Sequence, residues 1–234
     1  MSTKKNAMAL ALGEGLTVLV SFLLLPYLAR SLPPDIYGSY GQVLFYVDIF
    51  KAVALLGLNK VLFLSLAKES NKNIVFSNSI LAGLFSGLTA TAVCAASSPA
   101  MAMLFNNPRI TGPIMIYALS LPFQTAFMCF SSILIYNNQS KLLGIMSVTA
   151  NLLRYAFVFI VLLFTDNLMM IYSGIFIAFL AQFLMMWRFS GVRIKLSHLD
   201  IRLLKTQLKQ GVPLGLTSIV GTAYYFVDSF VVSS

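Results

Sequence analysis

The chain alternates apolar runs of about 20 residues with short polar breaks, and that period admits few folds. Runs are read over 7–29, 37–66, 74–96, 111–136, 142–164 and 168–189, with a seventh opening near Gly211. Pro33-Pro34-Asp35, the polar stretch 68–73, Asn106-Asn107-Pro108-Arg109, Asn137-Asn138-Gln139 and Thr165-Asp166-Asn167 separate them. Each run is long enough to cross a hydrocarbon core as a helix, whereas barrel strands are about 10 residues of alternating polarity. Composition agrees: 59% of residues are hydrophobic and 10% charged, against about 25% charged in a soluble domain. The mean hydropathy is +0.86. The prediction is an all-α polytopic membrane protein, with room in 234 residues for six or seven helices.

Charges interrupt the apolar runs at Glu14, Asp48, Lys51, Arg154 and Asp228. A charge facing lipid at mid-bilayer costs roughly 2.5–3.5 kcal/mol on insertion scales. Five of them facing lipid would cost on the order of 12–18 kcal/mol, comparable to the whole stability of a domain, about 5–15 kcal/mol. The charges are therefore expected to face one another or a wet cavity, the arrangement of a protein that moves something across the membrane.

The net charge of +9 is read as topology rather than nucleic-acid binding. With the N-terminus in the cytoplasm, Lys4, Lys5, Lys68, Lys72, Lys141, Arg188, Arg193, Lys195, Arg202, Lys205 and Lys209 fall on the cytoplasmic side, and only Arg30 and Arg109 on the other. That asymmetry sets orientation. The organisation expected is a six-helix lobe over 1–190, a basic cytoplasmic linker over 191–210, and the first helix of a second lobe over 211–234. In the linker, Ser197 and Asp200 have the spacing of a capping box. Leu199, Leu203, Leu204 and Leu208 recur at helical spacing beside Arg202, Lys205 and Lys209, so an amphipathic helix on the membrane surface, meeting anionic lipids, is expected. Gly15-Leu16-Thr17 recurs as Gly215-Leu216-Thr217, a short echo between the proposed lobes.

Helical spacing then groups the polar side chains. On the second run Tyr37, Gly41, Asp48 and Asn59 lie within about 20° of one line, and Lys51 is one turn from Asp48. Asp48 and Lys51 can form a structural salt bridge, or a pair that an anionic substrate or a cation opens. On the fifth run Ser147, Asn151 and Arg154 share a face. Arg154 has no acid on its own helix; its planar fork suits phosphate, and pairing with Glu14 or Asp48 is the structural alternative. Glu14, Thr17 and Ser21 share a face of the first run, where Pro26 is expected to kink the helix. Thr217, Gly221, Tyr224 and Asp228 form a similar stripe on the seventh. Glu14, Asp48 and Asp228 are candidates for ion coupling, as intramembrane acids often are. Gly83 and Gly87 form a GxxxG, which permits close helix approach. Cys94 and Cys129 lie in apolar runs and are expected as free thiols. There is no phosphate-binding Walker loop, and His198 has no companion ligand, so no cofactor and no metal are expected.

The stretch from Gly13 to Gly41 carries a family resemblance. Gly13-Glu14-Gly15-Leu16-Thr17 is followed by an apolar run, then Pro26-Tyr27-Leu28-Ala29-Arg30-Ser31-Leu32-Pro33-Pro34-Asp35-Ile36-Tyr37-Gly38. It resembles the Wzx-type polysaccharide flippases, which carry O-antigen and capsule repeat units and belong with MATE-like exporters in the MOP superfamily. The resemblance implies a bacterial inner-membrane protein of two six-helix lobes, of which this chain matches the N-terminal one. It implies a substrate, an undecaprenyl diphosphate-linked oligosaccharide moved from the cytoplasmic to the periplasmic leaflet, and the partners of that process, a polysaccharide polymerase and a chain-length regulator. Lys51 and Arg154, with Asp48 and Asn151, are the candidates for the lipid diphosphate. A MATE-like exporter of small molecules and an integral-membrane polymerase or glycosyltransferase are the alternatives. The exporter would favour acids over bases in its cavity; the enzyme would need an extramembrane loop larger than any here. The charge asymmetry makes a direct prediction: an epitope inserted at Thr165-Asp166-Asn167 is reached by antibody from the periplasmic side in spheroplasts, and cytoplasmic exposure overturns the topology.

Overall fold

Proline and glycine decide where these helices break. The computed structural model describes residues 3–55, 57–68, 71–192, 200–207 and 209–215. Its helices are α1 (Thr3–Ser31), α2 (Pro34–Leu55), α3 (Leu58–Lys68), α4 (Lys72–Leu104), α5 (Thr111–Ala118), α6 (Leu121–Tyr136), α7 (Ser140–Phe164) and α8 (Leu168–Phe189). Two further helical stretches cover 201–207 and 209–215, and no strand occurs among the described residues. Pro34-Leu66, Lys72–Leu104, Ser140–Phe164 and Leu168–Phe189 are each long and apolar enough to cross a membrane, and α5 with α6 makes a fifth, bent span. At 29 residues α1 has the length of another. The all-α polytopic architecture is as expected.

Three spans differ from the sequence reading. The second is not continuous: Gly57 takes a left-handed φ of +69°, which glycine adopts without a Cβ penalty and which ends a helix. The chain restarts as α3, so the Tyr37–Asp48 line does not run on to Asn59. The third run passes Ala96 and continues through Pro99 to Leu104, 33 residues in all. Pro99 cannot donate to the carbonyl of Ala95, but the Ser98 hydroxyl donates to it at 2.8 Å, which keeps the carbonyl satisfied in an apolar setting. The fourth run is bent by 43° between α5 and α6. Its cause is Pro122, which leaves the Ala118 carbonyl without its i+4 donor. Thr91 on α4 supplies the missing donor at 2.7 Å. Pro26, by contrast, lies inside an unbroken α1.

Small residues set the closest packing. Gly83 and Gly87 of α4 face α6: a Cβ on Gly87 would lie 2.5 Å from Pro122 Cα, and one on Gly83 would lie 3.2 Å from Cys129 Sγ. Thr125 Oγ1 donates to the Gly83 carbonyl across this crossing at 2.7 Å. The pair α1–α7 is equally close, with Gly13 against the backbone of Gly144. Cys94 and Cys129 are buried free thiols. Two buried clusters result, one around Tyr117 and Tyr172 and one around Phe130 and Phe76. At the connection 106–109, Asn107 Nδ2 donates to Ser39 Oγ at 2.8 Å and to Gln42 Oε1 at 3.0 Å. Arg109 also pairs with Asp35 at 3.2 Å, so the turn that opens α2 is tied to the far end of α4.

The linker helix is also placed differently. Asp200 is its N-cap, not the third residue of a capping box: its carboxylate accepts from the backbone N–H of Arg202 at 2.8 Å and of Leu203 at 3.2 Å. Ser197, Leu199 and Leu208 lie outside the described residues. Leu203 packs against the buried cluster around Phe130. Gln207 is 1% exposed and sits in a polar clamp, donating to Ser65 Oγ at 3.2 Å and Ser79 Oγ at 3.1 Å and accepting from Asn78 Nδ2 at 3.3 Å. Gly211 packs on the Gly57 break, its carbonyl 2.6 Å from where a Cβ on Gly57 would sit. A buried amide is retained in such a place only when its hydrogen bonds are made.

The α4–α6 crossing gives a stability prediction. Gly87→Ala pushes a methyl into the Pro122 backbone and should cost about 1–3 kcal/mol, read as a fall of several degrees in the unfolding midpoint in detergent. Gly41→Ala, where nothing lies within 4 Å of the new Cβ, should leave the midpoint unchanged or raise it. Equal behaviour of the two variants contradicts the crossing.

Candidate functional site

The break between α5 and α6 opens beside the charged residues of α2 and α7. There α2 contributes Tyr40, Asp48 and Lys51, α5 contributes Tyr117, α6 contributes Gln124, α7 contributes Arg154 and Tyr155, and α8 contributes Phe179. Together they line a cavity of about 250 Å³. Arg154 is ten residues from the Phe164 end of α7, roughly 15 Å at helical rise, so the cavity lies at hydrocarbon depth.

Each charge is handled separately. Lys51 Nζ donates to Asp48 Oδ1 at 2.5 Å, and the two side chains stay 32% and 22% accessible. The pair is therefore not sealed inside the bundle, where a buried ion pair would meet its full desolvation cost. Arg154 pairs with no carboxylate among the described residues. Its Nη2 donates to Asn151 Oδ1 at 2.6 Å and to the Tyr155 hydroxyl at 3.1 Å, and the guanidinium lies 4.9 Å from the Tyr155 ring centre and 5.6 Å from that of Phe179. Aromatic faces stabilise a cation by about 0.5–2 kcal/mol without neutralising it. Asn151 is itself anchored, donating to the Ser147 carbonyl at 2.8 Å and reaching Thr17 Oγ1 on α1 at 3.5 Å. Among the described residues only Nη2 is engaged, which leaves the arginine fork able to take an anionic oxygen.

The rest of the wall is aromatic and amide. Tyr40 stacks on Tyr172 with ring centres 5.5 Å apart, and Tyr172 contacts Tyr117 at 5.1 Å. The Tyr172 hydroxyl donates to the Tyr40 carbonyl at 2.7 Å, fixing α8 against α2. Gln124 is 4% exposed and donates to Ser120 Oγ at 2.7 Å, while Ser120 donates to the Tyr117 carbonyl at 2.6 Å. The bent span thus places a polar amide where the helix axis changes, as discontinuous helices do at transporter binding sites.

Of the residues singled out in the sequence, Asp48, Lys51 and Arg154 meet at this cavity, and Asn151 holds Arg154 from behind. Glu14 belongs to α1, but its side chain lies outside the described residues. Asp228, Thr217, Gly221 and Tyr224 lie outside them altogether. Sequence reasoning missed Gln124, Tyr40, Tyr117, Tyr155 and Phe179. Gln124 carried a signal, as a lone amide inside the apolar run 111–136 two residues after Pro122; the aromatics carried none in so apolar a chain. Among the described residues no group of His, Cys, Asp and Glu is arranged to hold a metal ion.

The helical bundle with its bent span shares its fold with MATE. A crystal structure of MATE in complex with Br-NRF superposes with a TM-score of 0.73 at 16% sequence identity, covering 97% of this chain and 58% of that one. The chain therefore spans somewhat more than half the length of that transporter. No curated protein matches the sequence significantly. The chain belongs to the polysaccharide biosynthesis protein family, which matches residues 3–234.

Proposed function

We propose that the chain serves a flippase that carries undecaprenyl diphosphate-linked oligosaccharide repeat units from the cytoplasmic to the periplasmic leaflet of a bacterial inner membrane, its N-terminus in the cytoplasm. The family supplies the polysaccharide context. The observation that carries the reading is Arg154, a guanidinium at hydrocarbon depth that opens on a cavity and has no carboxylate partner among the described residues. A diphosphate does not cross hydrocarbon unaided. A wet groove with Arg154 and Lys51 lowers that barrier, Asn151 orients the arginine, and Asp48 holds Lys51 until a stronger anion competes for it. A negative cell interior favours outward movement of an anion by about 2.3 kcal/mol per charge per 100 mV. In this reading Glu14 and Asp228 join Asp48 as the acids able to couple transport to an ion. The polysaccharide polymerase and chain-length regulator act on the exported unit, and the protein itself is a transporter rather than an enzyme.

The fold also favours a second reading, a MATE-like exporter of small molecules. The cavity's charge separates the two: Lys51 and Arg154 against Asp48 leave one net positive charge among the described residues, which attracts anions and repels cationic drugs.

The test is Arg154→Gln expressed in a strain lacking its own copy of the gene. Surface polysaccharide should fall at least about tenfold, the worth of one charged hydrogen bond at the low end, while the protein still inserts at normal level by immunoblot. Arg154→Lys, which keeps the charge but loses the fork, should retain an intermediate level. Full export from Arg154→Gln removes the residue from the substrate path.

A further inference from the structure

The polar clamp on Gln207 has a consequence for the other side of the same helix. At 100° per residue Arg202 and Lys205 fall within about 60° of one another and Gln207 points well away from them, while Lys209 opens the next described helical stretch. Exposure follows that division: Arg202, Lys205 and Lys209 are exposed, and Gln207 and Gly211 are buried against the bundle. Leu203 packs against the cluster around Phe130. Two apolar side chains on the same two stretches are also exposed, Ile201 at 61% and Val212 at 42%.

The helix is also fixed in height. Its clamp partners are Ser65, three residues before the end of α3 at Lys68, and Asn78 and Ser79, within two turns of the start of α4 at Lys72. It therefore lies at the end of the bundle, in the zone where membrane spans leave the hydrocarbon. Asp200 ties its first turn down as well, through its backbone N–H to Asn78 Oδ1 at 3.1 Å.

We propose that the exposed face of this helix is a docking ledge for anionic phospholipid headgroups: Arg202, Lys205 and Lys209 meet the phosphates while Ile201 and Val212 dip toward the acyl chains. Three exposed cations within eight residues, with no carboxylate bonded to any of them among the described residues, favour a polyanionic surface over a zwitterionic one. The clamp supplies what a flexible basic linker lacks, because it fixes the backbone that carries the cations before the lipid arrives and little ordering is left to be done on binding. This inference is independent of the substrate of the cavity.

Native mass spectrometry of the purified full chain in neutral detergent, titrated with phosphatidylglycerol or phosphatidylcholine, tests it. At about 1 kcal/mol, or about fivefold, per cation, the triple variant Arg202→Gln, Lys205→Gln, Lys209→Gln should bind phosphatidylglycerol about a hundredfold more weakly. Lys141→Gln, which removes an exposed cation elsewhere, should bind as the wild type does, and raised salt should release the lipid from the wild type. Helical content measured on the same samples confirms that the variants are folded. Unchanged phosphatidylglycerol retention in the triple variant, or equal wild-type retention of phosphatidylcholine, overturns the proposal.

Discussion

The cost of an ionised side chain in hydrocarbon governs this structure. Asp48 and Lys51 answer it by pairing at one helical turn while both stay partly accessible. Arg154 answers it differently, with a neutral amide, a phenol and two aromatic faces. The first solution removes a charge from the cavity; the second preserves one. Helices α2, α5, α6, α7 and α8 converge around these groups, and the aromatic contacts of Tyr40, Tyr117 and Tyr172 hold them there. A bundle of purely apolar helices would have no reason to keep the space between them open.

The same solvent imposes the backbone detail. At Pro99 and Pro122, where proline removes a donor inside a span, a hydroxyl replaces it: Ser98 on the same helix for the first, Thr91 on α4 for the second. The second of these decides the site, because the freed carbonyl of Ala118 marks the bend that exposes Tyr117 and Gln124 to the cavity. Gly57 makes the other break, and there the backbone of Gly211 fills the space a side chain would take. The breaks at Gly57 and at the α5–α6 bend are thus both points of attachment to another helix.

Much of this was legible in the sequence. The apolar period gave the spans, with the sixth matching α8 at both ends, and one-turn spacing gave the Asp48–Lys51 pair. The meeting of Asp48 with Arg154 across the bundle was expected only from the cost of leaving either in lipid; no local spacing relates residues on α2 and α7. The breaks at Gly57 and Leu119–Ser120 were missed because hydropathy averages over about 20 residues and does not register a single dihedral or a single missing N–H. Straight passage through Pro99 was missed for the opposite reason, since the rescue by Ser98 depends on a rotamer. The burial of Gln207 was missed because nothing in the sequence shows that Ser65, Asn78 and Ser79 wait for it.

The central claim is that the charges at hydrocarbon depth share water. A Lys51→Cys variant measures this directly, since the native Cys94 and Cys129 are both 0% exposed and give a silent background. Treated in intact membranes with a charged, membrane-impermeant thiol reagent, the new cysteine should be modified from one side of the membrane without denaturant. A cysteine at 51 that stays unmodified until the protein is unfolded, while Asn138→Cys in the exposed turn reacts readily, would mean that the cavity is dry and would contradict the account.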